Sequence, residues 1–478
     1  MSKIYLTTAI PYVNGAPHIG HAMDYLIADT YSRYRQLLGD EVKFQAGTDE
    51  HGNKIFQKAT DLGVKVEDYV AENSKKFQDF IARLGVEYTD FIRTTDPQHE
   101  KLCREIWQKL APHIYSAKYE GWYCSGCESF VTNKEYEENH GVCPDHQKPY
   151  EKLEEENYYL RISDFKEQIR TAIENGEMLI LPDFRKKEIL KLLEDTPDVS
   201  ISRPRAHLAW GVPVPDDDNQ VMYVWIDALA NYITILGYPE RDISDWWPAS
   251  VQFVGKDILR FHAIIWPAML LGLGLPLPKV LCSHGHILSN GQKMSKSIGN
   301  VIDPIEVLES HGLEAFRYFF LRHIDTFADS DFTWEKYESA YNNELANDLG
   351  NLVQRLATLA SKNNLSGITD FDVKTIVQND QNYRSLMDNF EFNKAFDYIW
   401  QKVQDINKRI DDEKPWSLAK QGRGDEVVPI LSSLIKDLLI VSALLTPFIP
   451  SVSAKILAVF TTPTQILPPA TPLFPKAQ

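Results

Sequence analysis

The sequence predicts an α/β protein in which a doubly wound parallel sheet is interrupted by an inserted module and followed by a C-terminal α-helical bundle. Three observations predict this fold. The first residues alternate between strand and helix patterns, and a segment rich in cysteine, histidine and charge interrupts that alternation. The last third of the chain has helical periodicity with little strand pattern.

Length and composition exclude several classes of protein. The 478 residues predict roughly two to four domains. A formal net charge of −17 argues against a surface that is basic throughout, so any nucleic acid must be bound by local basic patches. The chain has only 5 cysteines, no apolar run of about 18 residues and a strand pattern that begins almost at Met1. We therefore expect a cytoplasmic protein without a targeting segment.

The N-terminal elements form a βαβ unit. The stretch "KIYLTTAI" at 3–10 is typical of a strand, and a Pro/Asn/Gly turn follows it. A helix is predicted from about Gly20 to Leu38, closed by Gly39, and a second strand, "EVKFQAGT", ends just before Asp49. Two strands joined in this way are parallel, which predicts a ligand crevice at their carboxyl ends.

Strand and helix patterns alternate again after an interruption from about 97 to 220. Three short buried strands are predicted within "VMYVWIDALANYITIL", "VQFVGKDILRFHAIIWPAMLLGLG" and "KVLCSHG", and they restore the doubly wound pattern. From about 336 onward, segments such as "NELANDLGNLVQRLATLASKNN" place apolar residues at three- and four-residue spacing, which is typical of packed helices.

Two histidines stand at the turn from the first strand to the first helix, in "NGAPHIGHAMDYLIAD". His18 and His21 can face the same crevice and donate hydrogen bonds to phosphate oxygens, and Gly20 would let the backbone approach a ligand closely. The helix N-terminus itself favours an anion. A structural interpretation, with one histidine capping the helix and one buried, is equally open on these residues alone.

A second candidate segment is the Gly/Asn-rich turn "SNGQKMSKSIGN" at 289–300. Its two ammonium groups, Lys293 and Lys296, suit charge that develops on a transferring phosphoryl group or a departing pyrophosphate. In isolation, a solvated surface loop is the simpler interpretation.

Taken together, "HIGH" at 18–21 and "KMSKS" at 293–297 resemble the paired motifs of the class I aminoacyl-tRNA synthetases. The resemblance implies that an amino acid attacks the α-phosphate of ATP, with magnesium, to form an aminoacyl-adenylate, and that the acyl group then passes to tRNA. It implies catalytic roles for His18, His21, Lys293 and Lys296, and contacts to ATP from Gly20, Asp257 and Lys296.

Over nearly its whole length the chain resembles the methionyl-tRNA synthetase family. The family motif ahead of the histidine pair appears as "AIPYVNG" at 9–15, and "GTDEHG", "YVWIDALANY" and "FVGKDILRFH" follow later. The family often has proline at the position of Leu229. The resemblance implies that Asp49 takes the substrate ammonium, that His262 lies near the thioether, and that the methionine site is lined by Ile10, Tyr12, Trp225, Ala228, Leu229 and Tyr232. Without the resemblance, residues 225–232 would more often be core, and Asp257 could be only a helix N-cap.

Related families fit the sequence less well. The synthetases for leucine, isoleucine and valine share both motifs but carry a much larger editing insertion. Cysteinyl-tRNA synthetases place a zinc-binding cysteine just before the histidine motif, whereas no cysteine precedes Cys103 here. The resemblance therefore implies a methionine–tRNA ligase that acts on methionine, ATP and tRNA(Met).

A cysteine and histidine cluster predicts one structural zinc ion. Cys124-x2-Cys127 and Cys143-x2-His146 supply three thiolates and one imidazole, which close a tetrahedral site with no open position. His140 is a weaker candidate for the fourth ligand because it lacks this spacing. Cys103 and Cys282 lie in helical and strand patterns and are predicted to be buried small hydrophobes.

In the C-terminal half, Asn351 and Arg355 lie four apart on one helix face, and Trp416 follows Pro415 at a predicted helix start. The resemblance implies that these three residues read the anticodon. It also implies a Rossmann-like catalytic domain in two halves at 1–116 and 220–288, a connective insertion with the zinc knuckle at 117–219, a stem-contact region around the lysine loop at 289–345, and an anticodon-binding bundle at 346–478. Because the chain ends near 478, without an appended dimerisation module, we expect a monomer.

Two other functions compete with this hypothesis. A catalytically silent paralogue could bind tRNA or a partner through the zinc module and the bundle, but such paralogues usually lose one motif and both are complete here. A nucleotidyltransferase on a similar sheet is disfavoured by the anticodon-type bundle.

Overall fold

The structure is a computed structural model that describes residues 2–125, 129–131, 133–144, 147–294 and 299–475. Its centre is a parallel sheet of six described strands. In chain order these are β1 (Lys3–Thr8), β2 (Glu41–Thr48), β3 (Asp90–Arg93), β4 (Leu179–Leu181), β5 (Val251–Gly255) and β6 (Val280–His284).

The order of strands in the sheet is β3-β2-β1-β5-β6-β4, and every neighbouring pair is parallel. The chain therefore builds outward from β1 through β2 to β3 in one direction and from β5 to β6 in the other, and β4, which precedes β5 in the chain, forms the outer edge beside β6. The topological switch point lies between β1 and β5. The connections that leave the carboxyl ends of these two strands run in opposite directions, and a crevice opens between them. This confirms the predicted doubly wound parallel sheet.

One strand prediction was wrong, and two strands of the main sheet, β3 and β4, were not predicted. The strand pattern at "VMYV" belongs to Asp217–Met222, which pairs antiparallel with Pro213–Val214 and Ser202–Pro204 in a separate small sheet. It forms a hairpin because the acidic turn reverses the chain at Asp216, whose φ is 63°. The sixth strand of the main sheet comes instead from the interruption, where β4 is too short to produce a periodicity signal.

The first helix confirms the predicted βαβ unit. It runs from Ile19 to Leu38 and ends at Gly39, whose φ of 95° places it in the left-handed region that glycine adopts without strain. Further helices around the main sheet are Asn53–Leu62, Val66–Arg83, Pro97–Leu110, Val224–Thr234 and Trp266–Gly272, the last preceded by a π-helical turn at Phe261–Ile265.

The interruption contains a four-stranded antiparallel sheet. Its described strands are Ile114–Cys124, Ser129–Val131, Glu151–Leu160 and Val199–Ser200. Short 3-10 helices span Ala111–His113 and Ile162–Asp164, and α-helices span Asn133–Glu138, Lys166–Glu174 and Asp183–Asp195. The segment that carries Cys124 and Cys143 is thus a small, largely β-structured module.

After β6, a small sheet of Ile287–Ser289, Gln292–Lys293 and Ser330–Phe332 carries the described part of the lysine loop. The helices that follow it are Pro304–His311, Leu313–Arg322, Trp334–Ser339, a π-helical segment at Ala340–Gly350, Asn351–Lys362, Val373–Asn379, Gln381–Asp388, Phe392–Glu413, Pro415–Lys420, Gly424–Leu445 and Pro450–Phe460.

These C-terminal helices share one large apolar core with the first helix and with β1, β2 and β5. By length and composition Gly424–Leu445 could cross a membrane, but Leu431, Leu434 and Leu438 are fully buried in that core. The helix is therefore explained by packing within the protein.

Candidate active site

A cleft of about 580 Å³ opens at the carboxyl ends of β1, β2, β5 and β6. The histidine motif lies on one side and Lys293 on the other, although the two segments are far apart in the chain. Thirteen of the predicted site residues line this cleft: Ile10, Tyr12, His18, Gly20, His21, Asp49, Trp225, Ala228, Leu229, Tyr232, Asp257, His262 and Lys293. The predicted Lys296 lies outside the described residues.

The two histidines cap the first helix reciprocally. Nδ1 of His18 accepts a hydrogen bond from the Gly20 N–H at 3.2 Å, and Nδ1 of His21 accepts from the His18 N–H at 3.1 Å. Because each Nδ1 is an acceptor, the proton of each neutral ring must be on Nε2. The rings stack with their centroids 3.7 Å apart, and burial together with the adjacent His18 lowers the pKa of His21 well below its ordinary value. Both imidazoles are thus fixed as neutral N–H donors at the helix N-terminus.

Glycine is needed at two positions beside these rings. A Cβ on Gly20 would lie 3.0 Å from the His18 ring, so a larger residue there would push the capping ring aside. Gly52 has a φ of 112°, and a Cβ on it would lie 1.8 Å from the Tyr12 hydroxyl oxygen. The Tyr12 hydroxyl therefore packs directly against the backbone of Gly52, just beyond the end of β2.

Asp49 is the carboxylate at the end of β2. Its backbone N–H donates to Pro11 at 2.9 Å and its carbonyl accepts from Val13 at 3.0 Å, which fixes the residue between two loops. The side chain is 8% exposed, and its Oδ1 has no hydrogen-bond partner among the described residues. Burial and the nearby Asp227 raise the pKa of Asp49 well above its ordinary value. A buried acceptor without a partner suits a cationic ligand group.

Behind Asp49 lies a buried imidazole held between two carboxylates. Nδ1 of His51 is 2.6 Å from Oδ2 of Asp227, and its Nε2 is 3.6 Å from Oε1 of Glu100. Burial opposes the charged form of His51, but Asp227, Glu100 and Asp49 together outweigh it and raise the pKa of His51 to about 10. His51 is therefore an imidazolium, and its charge offsets that of Asp227.

The apolar wall of the cleft is formed by the helix Val224–Thr234 and the turn after β5. Trp225 stacks on Phe261 with the ring centroids 3.8 Å apart, and Leu229 and Tyr232 are buried. The Tyr232 hydroxyl is 2.8 Å from Nε2 of His262, whose Nδ1 donates to the Ile258 carbonyl at 3.0 Å.

Because Nδ1 of His262 is a donor, its Nε2 accepts the tyrosine proton and the ring is neutral. Burial lowers the pKa of His262 to about 4, in agreement with this tautomer. The residues predicted to line the methionine pocket thus belong both to the apolar core and to the surface of the cleft.

Asp257 is not an N-cap, so the alternative interpretation of this residue was wrong. It lies in the turn between β5 and the π-helical turn, whose N-cap is Arg260. Oδ1 of Asp257 is 3.5 Å from Nε2 of His286. Burial alone would raise the pKa of Asp257, but His286 and Lys293 bring it down to about 2. The carboxylate is therefore ionised and faces the cleft beside the lysine loop.

A second histidine–carboxylate pair in the cleft was not predicted from the sequence. His284, the last residue of β6, lies with Nε2 2.8 Å from Oδ1 of Asp24 and Nδ1 2.8 Å from the Gly285 carbonyl. Burial opposes protonation, but Asp24 and this carbonyl raise the pKa of His284 above its ordinary value. The signal that could have identified His284 is its position at the carboxyl end of a strand, where ligands of a parallel sheet bind.

The predicted zinc ligands are described only in part. Cys124 and Cys143 are buried and belong to one small cluster with Tyr150, whereas Cys127 and His146 lie outside the described residues. Within the described ranges no three potential metal ligands group together. His140 is exposed in a turn with a φ of 52°. Cys103 and Cys282 are buried, as predicted.

The three predicted anticodon residues are absent from the lining of the cleft. Asn351 is exposed at the start of the helix Asn351–Lys362, and the Arg355 guanidinium lies 4.5 Å from the centroid of the Trp416 ring. Arg355 also pairs with Asp411 at 2.7 Å. The guanidinium and the indole thus form one partly exposed stack.

Comparison with known families agrees with this geometry. The family profile described as "tRNA synthetases class I (M)" matches residues 4–152 and 145–357. The methionine–tRNA ligase of Thermotoga maritima is 38% identical over 470 residues, which cover 95% of this chain and 74% of that protein. The methionine–tRNA ligase of Caldanaerobacter subterraneus is 40% identical, with coverage of 94% and 73%.

Solved structures are similar over the whole chain. The methionyl-tRNA synthetase of Mycobacterium tuberculosis in complex with methionyl-adenylate has a TM-score of 0.92 and 33% identity, with 99% of this chain and 100% of that chain covered. The free form of the same synthetase has a TM-score of 0.84 and 30% identity, with 100% and 99% covered.

Proposed function

Because this chain belongs to the methionyl-tRNA synthetases of class I, we propose which of its residues carry out the two steps of its reaction. The protein is a methionine–tRNA ligase. Methionine reacts with ATP to give methionyl-adenylate and pyrophosphate, and the methionyl group then passes to the 3′ end of tRNA. The tRNA that accepts it is tRNA(Met), and magnesium enters with ATP as part of the substrate.

We infer that Asp49 binds the ammonium group of methionine. The buried Oδ1 without a partner supports this role, because a carboxylate in that state gains most from a cation. The thioether lies among Ile10, Tyr12, Trp225 and the other predicted wall residues. His262 accepts a proton from Tyr232 and is neutral, so it presents no charge to the sulfur.

ATP occupies the other half of the cleft. His18 and His21 donate from Nε2 to the triphosphate, and Gly20 keeps the helix N-terminus open to it. Lys293 and Lys296 balance the negative charge that develops on pyrophosphate as the methionine carboxylate attacks the α-phosphate. Asp257, ionised beside His286, accepts hydrogen bonds from the nucleotide.

The observation that carries this assignment is the convergence of His18, His21 and Lys293 on the cleft that also contains Asp49. The test is exchange of labelled pyrophosphate into ATP, measured with a panel of amino acids. We expect exchange with methionine and its loss in Lys296→Ala. Robust exchange with another amino acid and none with methionine would refute the assignment.

The same assay separates the competing functions. A silent paralogue would bind tRNA without any amino-acid-dependent exchange. A nucleotidyltransferase would exchange pyrophosphate without requiring methionine.

We also propose one structural zinc ion in the insertion, held by Cys124, Cys127, Cys143 and His146. Burial of both described cysteines in one small cluster supports a site there, since thiolates are the ligands that zinc prefers. With four protein ligands the metal stabilises the fold of the module and takes no part in the reaction. Elemental analysis should give one zinc per chain in the wild type and less in Cys143→Ser.

Anticodon recognition is assigned to Asn351, Arg355 and Trp416. The Arg355–Trp416 stack supports this role, because a planar pair at a partly exposed site can stack with unpaired bases. Trp416→Ala should raise KM for tRNA by roughly 5- to 150-fold, from the loss of about 1–3 kcal/mol of stacking, and leave pyrophosphate exchange unchanged. We further propose that the enzyme is a cytoplasmic monomer. Light scattering tests the monomeric state by measuring the mass of the protein in solution.

A further inference from the structure

The helix Val224–Thr234 carries four of the residues predicted to line the methionine pocket. These are Trp225, Ala228, Leu229 and Tyr232. A buried polar residue precedes two of them, since Asp227 comes before Ala228 and Asn231 before Tyr232. Neighbouring residues lie about 100° apart around the helix axis, so a polar face adjoins the face that lines the cleft.

This polar face binds to β2 and to the segment that follows it. Asp227 contacts Nδ1 of His51 at 2.6 Å, and Oδ1 of Asn231 accepts a hydrogen bond from Nε2 of Gln45. Because Asp227 and Asn231 are four residues apart, the two contacts lie about 6 Å apart along the helix. Two attachments at different levels hold the helix against lifting off the sheet and against sliding along it. We call the Gln45–Asn231 pair the amide clamp.

Both side chains of the amide clamp are fully buried and have further hydrogen-bond partners. Oε1 of Gln45 accepts from the hydroxyl of Tyr5, which also lies 2.9 Å from the Tyr232 carbonyl. Nδ2 of Asn231 donates to the Ala228 carbonyl. A buried amide that loses its partner keeps the cost of its desolvation, so positions of the helix that break the clamp are disfavoured. The clamp therefore selects one position of the helix on the sheet.

The strand β2 carries both the amide clamp and the segment that ends in the proposed ammonium ligand. Gln45 and Asp49 are four residues apart, so their side chains lie on the same face, about 13 Å apart along the strand. Gly47 lies between them, where a Cβ would be 2.9 Å from the side chain of Ile10, a further predicted wall residue. The ammonium ligand and the pocket wall are thus held by one strand, at a distance that the clamp fixes.

We propose that Gln45 and Asn231 are positioning residues that set the length of the amino-acid side chain accepted by the methionine pocket. This inference rests on the proposed function, in which Asp49 binds the ammonium group and the thioether lies against the helix. With the ammonium fixed, a displacement of the helix changes how long a side chain fits. An apolar pocket discriminates one methylene by roughly 10- to 200-fold, and that preference depends on the position of its wall.

The test is pyrophosphate exchange with methionine, with ethionine, which is one methylene longer, and with norleucine, which has a methylene in place of the sulfur. Asn231→Ala and Gln45→Leu each remove the clamp. In each variant, kcat/KM for methionine relative to ethionine should fall about fivefold, with a raised KM for methionine and an unchanged KM for ATP. The ratio of methionine to norleucine should be unchanged, because these side chains have nearly the same length.

A double variant tests whether the two residues act through one hydrogen bond. Gln45→Leu combined with Asn231→Ala should lower the methionine-to-ethionine ratio no further than the larger single effect, since either substitution alone already removes the bond. If Asn231→Ala does not fold, Gln45→Leu alone decides the outcome through the same ratio.

Asn73→Ala is the matched control. Asn73 is also a buried helical asparagine that donates to a carbonyl one turn earlier, that of Tyr69 at 3.0 Å, but it is absent from the lining of the cleft. Its substitution should leave the ratio and KM for methionine at their wild-type values. Loss of folded protein lowers the rate with every amino acid alike, so the ratio separates positioning of the helix from a loss of stability.

Each remaining outcome has one meaning. An unchanged ratio in the folded clamp variants, additive effects in the double variant, or an equal change of ratio in Asn73→Ala would overturn the proposal. An equal change in the methionine-to-norleucine ratio would also overturn it, because the clamp would then not act on length. Absence of methionine-dependent exchange in the wild type would be a failure of the proposed function itself.

Discussion

At the scale of single residues, the account depends most on Asp49. Asp49→Asn removes the carboxylate that we propose binds the methionine ammonium but keeps the size of the side chain. Loss of one member of a buried charge pair costs about 2–5 kcal/mol, so KM for methionine in pyrophosphate exchange should rise at least about 30-fold. KM for ATP should change little. Asp61→Asn, at an exposed carboxylate, is the control and should have no effect on methionine.

The buried His51–Asp227 pair predicts a pH effect on methionine binding. Burial first, then Asp227, raises the pKa of Asp49, whereas His51 lowers it. His51→Gln leaves Asp227 without its counter-charge, so the pKa of Asp49 should rise further. Because methionine is proposed to need ionised Asp49, the acid limb of kcat/KM for methionine should move to higher pH.

The double variant His51→Gln, Asp227→Asn tests the cause of that shift. It removes both charges of the pair, so the acid limb should return toward the wild-type position. The other charged groups near this site, Glu50, Lys54 and Glu100, are unchanged in the comparison. An acid limb that stays displaced in the double variant would assign the shift to disrupted packing.

At the scale of elements, the N-terminus of the first helix is capped by the same two histidines that line the cleft and that we propose bind ATP. Gly20→Ala places a Cβ 3.0 Å from the capping His18 ring, which must then move. The loss of this cap should cost about 1 kcal/mol of unfolding free energy and reduce kcat of pyrophosphate exchange by at least about tenfold. Thermal unfolding and initial rates measure the two effects. If the unfolding free energy falls by the expected about 1 kcal/mol but kcat is unchanged, the geometry of the histidines has no role in the reaction.

Element prediction from the sequence succeeded where the signal was local. The first helix ends at Gly39 as predicted, and "EVKFQAGT" is the strand β2 in full. The misplaced strand Asp217–Met222 has the same local pattern as a core strand, so only tertiary pairing distinguishes them. The edge strand β4 has three residues, and such a segment carries too little periodicity to be predicted.

Prediction of the site residues also succeeded only where the signal was local in the sequence. The motifs identified the flanking loops, because each contains residue types with evident chemistry. His51, Asp227 and His284 were not singled out, since their importance arises from partners that are distant in the chain, such as Asp24 for His284. Pairing across the sheet cannot be read from spacing alone.

At the scale of the whole molecule, one buried arginine joins the first helix to the C-terminal part of the chain. Arg317 is fully buried and pairs with Asp29 of the first helix at 2.7 Å. Its guanidinium also donates to the carbonyls of Leu84, Pro447 and Phe448. The helix that begins at the histidine motif is thus fixed against the C-terminal part of the chain.

Arg317→Met should therefore lower the unfolding free energy by about 3–5 kcal/mol, because Asp29 and three carbonyls lose a buried donor. Chemical denaturation measures this change. Arg83→Met is the matched control, since Arg83 pairs with Glu309 at the exposed surface and should cost only about 0.5 kcal/mol. Equal effects of the two substitutions would show that Arg317 is not a central link.

The central claim is that methionine and ATP react between the histidine motif and the lysine loop, with the ammonium on Asp49. A crystal structure with a stable analogue of methionyl-adenylate tests this most directly. We predict the ammonium within about 3 Å of the Asp49 carboxylate and the phosphate between His21 and Lys293. An analogue bound outside this cleft, or with its ammonium directed away from Asp49, would contradict the account.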